Sequence, residues 1–443
     1  MFAPGTYRIA ADLLRIWGDD GKVIATRAWG DRLTVTGGDA SGIDVFIGQP
    51  GRVKKPAQTA LVPIDVARAP KILRIDFVDV QQGDAAVLET PGGTTLVVDG
   101  GQNVQFSRYM AARYPRTTLE RPQRIDCMVV THGDADHFAG LTEIHKTESA
   151  ASKRVFIAPD RIFHNGLVKR TESPELGRRD GGVLTELHDD LRPLPNHLMN
   201  AGFRKWRDAV KVWSARSSSF QMRRLQRGDD AQFAFLATEG VTVQVLGPMT
   251  VPAGAGVGLP WLGSVGESIN GHSVVLLVRF GNVRFLLAGD LNTAAEKAFV
   301  TDHDAGAIDL QAEVLKVPHH GSADYLPEFL QRVAPGVSVV SSGDEGASDH
   351  IHPRATLVGA LGRYARPELP RPVIFITELA AFFRFVSATG RFEREAYGIV
   401  RCRTDGKRLL VYTESGEKGE NEAYAFTVAA DGTMKESRVT IVR

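Results

Sequence analysis

Three apolar stretches far apart in the chain each stop on residues that bind metals. IDCMVV, from Ile125, runs into THGDADHFAG; FLLAG runs into Asp290; LKVP runs into His319 and His320. Each stretch has the length and apolar character of a buried strand. Imidazoles and carboxylates crowded at the ends of such strands are costly to bury unless a cation or polar partners satisfy them. The pattern therefore favours sheets whose strands end along one edge, where loops meet and sites form.

His132, Asp134, Asp136 and His137 lie at i, i+2, i+4 and i+5. In a loop that turns after a strand, alternate residues can converge on one point. The set makes sense as two ligand groups for two adjacent divalent cations, which remove the cost of burying bare carboxylates together. The plainer reading is an acidic surface loop that happens to hold two histidines. Asp290, at the end of its own strand, is placed to bridge two ions.

The surrounding pattern is mixed. Residues 1–66 alternate short apolar runs with Asp-Gly and Gly-Gly turns, which predicts a small β-rich unit. Gly51 to Pro70, basic and proline-containing, reads as a linker. From Ile72 onward strand-like and helical stretches alternate: ILRIDFVDV, the AAVLET-PGG-TTLVV hairpin, IDCMVVTH, SVVLLVRF, VRFLLAGD and VSVVSSG. This predicts an α/β sandwich with mixed sheets over 67–395, interrupted at about 160–240 by a basic helical segment. Residues 396–443 read as a β-rich C-terminal extension.

Within the insertion, Phe203, Trp206, Val210 and Trp213 share one helical face. Between His197 and Arg227 eight Arg/Lys stand against one acidic residue, Asp208. Basic side chains such as Arg204 and Lys205 can track a phosphate backbone while the aromatics stack on bases; the aromatics are better read as a buried face. A net charge of +1 advertises no whole-protein field for nucleic acid or membrane. Two cysteines, Cys127 and Cys402, argue against a disulfide framework and fit a reducing compartment. The first residues do not read as a signal peptide, and no apolar run reaches the ~18 residues of a membrane span. A soluble, cytoplasmic protein without membrane contact is expected. No serine sits in a nucleophile-elbow context, which disfavours a serine hydrolase.

HGDADH resembles the HxHxDH signature of the metallo-β-lactamase fold, with Asp134 in place of a histidine. FVDVQQGDAAVLETPGGTTLVVDGG, NGHSVVL, LLAGD, LKVPHHGS and His352-Pro353 resemble, in that order, motifs of the ComEC competence family. The resemblance covers roughly Ile72 to Arg363. It implies an αββα metallo-β-lactamase sandwich and a metal-dependent hydrolase site working on phosphodiesters or nucleic acid. By the same resemblance His132 and Asp134 bind a first metal, Asp136 and His137 a second, and Asp290 bridges them. One of His319 and His320 completes the second site; His319 is preferred because it comes first after the strand, leaving His320 to contact substrate. His272 stands where the fold has a further histidine, as a candidate ligand or an ordinary loop residue, and Asn270 and Ser273 match the ComEC pattern around it. Asp99 matches an early aspartate that supports the ligands from behind. An oxygen donor at 134 makes Mn²⁺ as suitable as Zn²⁺.

With two such ions, Asp136 would orient the attacking hydroxide. The candidates to protonate or neutralise the leaving oxygen are His320, His352 and Lys316, and Ser322 is a candidate phosphate contact or helix cap. The expected activity is a phosphodiesterase, most readily a nuclease acting on DNA or RNA, in DNA processing or, by analogy alone, anti-phage defence. Two alternatives stand beside it. One is hydrolysis of a small phosphodiester, a phosphorylcholine-like ester or a lactone on the same fold. The other is a metal-stabilised module whose terminal β units bind a protein partner.

Overall fold

The computed structural model describes residues 3–54, 60–63, 71–150, 154–343, 351–380, 382–386, 391–396, 398–414 and 421–442. Its centre is two sheets packed face to face. The first runs, strand by strand, through Gln221–Arg224, Arg161–His164, Cys127–Val129, Thr95–Val98, Ala86–Glu89, Leu73–Val78, Ile399–Thr404, Arg408–Glu414, Ala423–Val428 and Met434–Ser437. The second runs through Val241–Gly247, Val275–Phe280, Val283–Leu287, Val314–Lys316, Val337–Val340 and Val373–Ile376. Their central strands, among them Thr95–Val98, Cys127–Val129, Val314–Lys316 and Val337–Val340, are buried throughout because both faces are covered. Ile75, Phe77, Val129 and Val400 of the first sheet meet Val243, Phe285, Val314 and Val339 of the second in one buried core.

Helices cover both outer faces. On the first sheet α1 (Gln105–Arg113), α2 (Ala135–Thr147) and α3 (Ala201–Ser214) bury Phe106, Met110, Phe138, Leu141, Ile144, Trp206 and Trp213 against Val97, Met128 and Ile162. On the second, Phe299, Phe329, Leu330 and Leu357 from three further helices pack on Val275, Leu286 and Leu315. The layers are α, β, β, α.

The peripheral units differ from the sequence reading in three ways. The stretch read as a linker takes in most of one strand, Pro50–Lys54, and all of another, Leu61–Pro63, of the N-terminal sheet; residues 55–59 and 64–70, with the proposed boundary at 66, lie outside the described residues. The β-rich C-terminal extension is tied into both sheets: Ile399–Thr404 pairs along the full length of Leu73–Val78, and Ile441–Val442 pairs with Leu13–Trp17 of the N-terminal sheet. The 160–240 segment is only partly helical. Arg161–His164 and Gln221–Arg224 extend the first sheet in parallel, too short and too polar at their edges for periodicity to reveal them. Among the described residues no helix is long and apolar enough to cross a membrane.

Candidate metal centre

The strands that end in ligand-type residues do end together. Parallel pairing aligns Leu286 with Leu315 and Leu287 with Lys316, so the Asp290 turn and the His319–His320 turn emerge side by side. In the first sheet Val97 aligns with Met128, which places Asp99 next to the Thr131–His132 turn. Val274 N–H donates to Thr131 O (2.8 Å) and joins the two edges. Two glycines permit the close approach. A Cβ on Gly83 (φ +106°) would sit 1.9 Å from Asp136 O, and one on Gly289 (φ +54°) 2.7 Å from the Ser273 side chain.

Three imidazoles converge on one carboxylate oxygen. Asp290 Oδ2 lies 3.1 Å from His320 Nε2, 3.3 Å from His137 Nε2 and 3.9 Å from His132 Nε2. Asp136 Oδ2 is 3.4 Å from His320 Nε2, and Asp134 Oδ2 is 3.8 Å from His132 Nε2. Asp134 also pairs with Lys169, a partner the sequence did not suggest. His132, His137, Asp290 and His320 are all buried.

Each imidazole is held from behind through Nδ1. His137 Nδ1–H donates to Asp99 Oδ2 (2.9 Å), and Asp99 is itself fixed by Thr131 N–H (2.8 Å) and Thr131 Oγ1–H (2.7 Å). His320 Nδ1–H donates to Asp84 Oδ1 (3.1 Å), whose other oxygen pairs with Lys316. His132 Nδ1 lies 3.2 Å from Thr131 Oγ1 and 3.4 Å from Ser273 Oγ. A carboxylate behind a histidine sets its tautomer and aims the free nitrogen. Asp84, His137, Asp290 and His320 form a tight group with potential ligand atoms within 4.8 Å of one another. Asp84, engaged by Lys316 and by the far side of His320, orients that group rather than closing it.

Within the cluster, His132 Nε2 and Asp290 Oδ1 are buried without a hydrogen-bond partner. Ligand atoms about 2.1 Å from a shared cation would stand roughly 3–3.5 Å apart, close to the separations here. The charge balance agrees. Burial opposes ionisation of Asp290, yet His320 and His137 hold its carboxyl well below the usual range. Burial equally opposes protonation of His137 and His320, but Asp290, with Asp99 at one and Asp84 at the other, raises both well above the ordinary imidazole value. His132, buried and beside His137, is pushed down to about 4. Protein groups alone balance this cluster only by keeping protons on two imidazoles; a divalent cation meets the same carboxylates with those imidazoles neutral. The donor set fits a metal.

The residues of this cluster fall within 78–343, the span that matches the Metallo-beta-lactamase superfamily. The chain belongs to the metallo-β-lactamase superfamily. Among solved structures this superfamily member is similar to a mutant of CmlA beta-hydroxylase, with a TM-score of 0.30 and 13% identity over 64% of this chain and 47% of that one. It is also similar to a long form RNase Z from yeast, with a TM-score of 0.25 and 10% identity over 69% of this chain and 37% of that one. It therefore spans less than half the length of either. No curated protein matches it.

Several expected roles move. Of the twin histidines it is His320, not the preferred His319, that lies in the cluster: His319 (φ +49°) and His320 (φ +51°) are both left-handed, and this turn brings His320 in. Left-handed backbone is unfavourable for non-glycine residues and collects at functional sites. His319 instead lies 3.3 Å from Asn270 Nδ2, its ring 6.0 Å from that of His352. His272 is engaged elsewhere: its Nε2–H donates to Pro260 O (2.6 Å), and burial pushes it down to about 4. Lys316 is committed to Asp84 and unavailable to a leaving group. Ser273 is structural, donating to Asn270 O (2.8 Å) and accepting Asp290 N–H (3.0 Å). Ser322 accepts Asp324 N–H (3.2 Å) in a turn. Arg204 donates to Met199 O (2.7 Å), and Lys205 is exposed. The helix aromatics are core, so α3 offers no stacking platform. His352 lies at the edge of the described residues, and the rest of the SDHIHP loop, Ser348 to His350, lies outside them.

Asp84 is the residue sequence reasoning missed. Its signal was present, since QQGD was part of the quoted motif, but nothing in the spacing tied an aspartate after Val80 to a histidine at 320.

Proposed function

We propose that the chain is a metal-dependent phosphodiesterase that acts on nucleic acid. The observation that carries the reading is the convergence of His132, His137 and His320 on Asp290, each with its Nδ1 held from behind. The order of motifs that resembles the ComEC family supports a phosphodiester substrate, and the oxygen-rich donor set suits Mn²⁺ as well as Zn²⁺.

His132 and Asp134 would hold one cation and Asp136, His137 and His320 a second, with Asp290 shared between them. Two cations in such a site acidify a water and neutralise the phosphoryl oxygens. Asp99 and Asp84 keep the Nδ1 protons of His137 and His320 in place, so that both Nε2 atoms stay free to ligate. Asp136, at the start of α2 and 3.4 Å from His320 Nε2, would hold the proton of the attacking water. His319 and His352, partly exposed beside the cluster, replace Lys316 and His320 as donors of a proton to the leaving oxygen.

The test is incubation of the chain with single- and double-stranded DNA and RNA, and with a chromogenic small phosphodiester, in Mn²⁺ or Zn²⁺. Cleavage of at least one nucleic acid by wild type, absent in Asp136→Ala, is the expected result. Intact nucleic acids alongside a cleaved small diester would refute the reading.

A further inference from the structure

A cleft of 530 Å³ lies between the N-terminal sheet and the end of the first sheet remote from the metal cluster. Arg74, near the start of Leu73–Val78, lines it, whereas Asp84 follows the far end of that strand. The strand carries the chain about 13 Å from Arg74 to Val78 before the turn that leads to Asp84. The two sites are distinct.

Seven arginines line the cleft against three carboxylates, Asp31, Glu89 and Glu414. Some are matched: Arg74 pairs with Glu89 (2.7 Å), and Arg113 and Arg401 pair with the buried Asp76 beneath the floor (2.8 and 2.5 Å). Others are not. The Arg403 side chain is 4% exposed, and its Nε and Nη1 have no hydrogen-bond partner. The carboxylate oxygens near it stand at 3.6 Å (Asp31) and 3.8 Å (Asp76), too far to accept. Buried guanidinium donors left in that state are costly.

A second observation points the same way. Arg8 and Arg32 face each other directly across the antiparallel strands Gly5–Ile9 and Arg32–Gly38. Like charges directly opposite on a sheet destabilise it. Burial and the nearby Arg32 and Arg74 hold the Arg8 guanidinium below its ordinary value. The folded chain gains nothing from this crowding, and an anion in the cleft removes the cost.

We propose that this cleft binds a compact phosphate-bearing anion, of nucleotide size or smaller, on Arg403, Arg8 and Arg32. Its volume lies in the range of small-molecule sites. Planar guanidinium forks match phosphate oxygens in paired hydrogen bonds. With Asp76 beneath the floor counted, seven guanidiniums stand against four carboxylates, and the excess of three suits a ligand with more than one negative charge. The buried Tyr412 and the half-buried Tyr114 supply apolar wall beside the charges.

The test titrates inorganic phosphate, AMP and a dodecameric single-stranded DNA into the metal-loaded full chain, read by calorimetry and thermal melting. The expected result is saturable 1:1 binding of phosphate or AMP, unchanged in Asp290→Ala, which disables the metal cluster. Arg8→Gln/Arg32→Gln should weaken that binding at least tenfold. Without anion the same variant should melt no lower than wild type, because a repulsive pair has gone; a purely structural role predicts a lower melting temperature. Arg403→Gln should abolish binding if it folds, and the Arg8/Arg32 variant carries the test if it does not. Equal binding by the Arg8/Arg32 variant, loss of binding in Asp290→Ala, or binding of the DNA alone would each overturn the proposal.

Discussion

Asp84 is the sharpest test of how the metal cluster is built. Its carboxylate does two jobs with two oxygens: one accepts His320 Nδ1–H at 3.1 Å, the other neutralises the buried Lys316 ammonium. Asp84→Asn preserves shape and removes the charge. Lys316 is then a buried cation without its partner, and breaking a buried pair from one side costs about 3–5 kcal/mol. His320 loses the acceptor that sets its tautomer, a change that typically lowers metal affinity by about 10–100-fold. The two effects separate in a double variant. Asp84→Asn/Lys316→Met removes the orphaned charge and should recover most of the stability, while metal affinity stays low because His320 remains unsupported. Urea unfolding reads the first quantity and competition with a chromophoric chelator the second. Full recovery of metal affinity in the double variant would show that Asp84 acts only by balancing Lys316, and the orienting role would be wrong.

Three further outcomes follow from the same geometry. His320→Ala should lose bound metal, whereas His319→Ala should keep wild-type metal stoichiometry by elemental analysis and lose turnover; the opposite pattern would restore the sequence-based preference. Trp206→Ala removes a fully buried side chain at the α2–α3 contact and should cost about 3–5 kcal/mol in chemical unfolding, while Lys205→Ala should cost nothing measurable; normal stability with impaired nucleic-acid binding would mean the tryptophan stacks on bases after all. Asp76 tests pH dependence: burial alone would raise its carboxyl, but Arg401 and Arg113 hold it down to about 2. A carboxyl depressed in the folded state adds stability above its unfolded pKa of ~3.9 and loses it as pH falls toward 2, here about 2 kcal/mol. Asp76→Asn should therefore lose less stability than wild type between pH 5 and pH 2, and an unchanged slope would refute the assignment.

Much of the centre was legible because strand ends and ligand chemistry are local signals. An apolar run followed by HGDADH, LLAGD or PHHGS declares both the strand and the place where it must stop, and sheets that bury such strands leave those ends on one rim. The helix face of Phe203, Trp206, Val210 and Trp213 was equally local, a matter of 3.6-residue period. What chain order could not carry is everything that depends on two segments meeting. Arg161–His164 and Gln221–Arg224 are strands because an existing sheet edge offers them hydrogen bonds, and Ile399–Thr404 belongs to the core because Leu73–Val78 lies beside it. Which twin imidazole turns inward was settled by consecutive left-handed residues, a backbone choice that no spacing encodes. Asp84 reached His320 across 236 residues, and Arg8 met Arg32 across a hairpin-like pairing. The amino-acid order by itself determined that carboxylates and imidazoles of the kind that can hold a cation would gather at the ends of buried strands, because each apolar run stops on them. Tertiary structure alone decided which nitrogen faces into the cluster, because a tautomer is set by whatever stands behind the ring, and that neighbour comes from elsewhere in the chain.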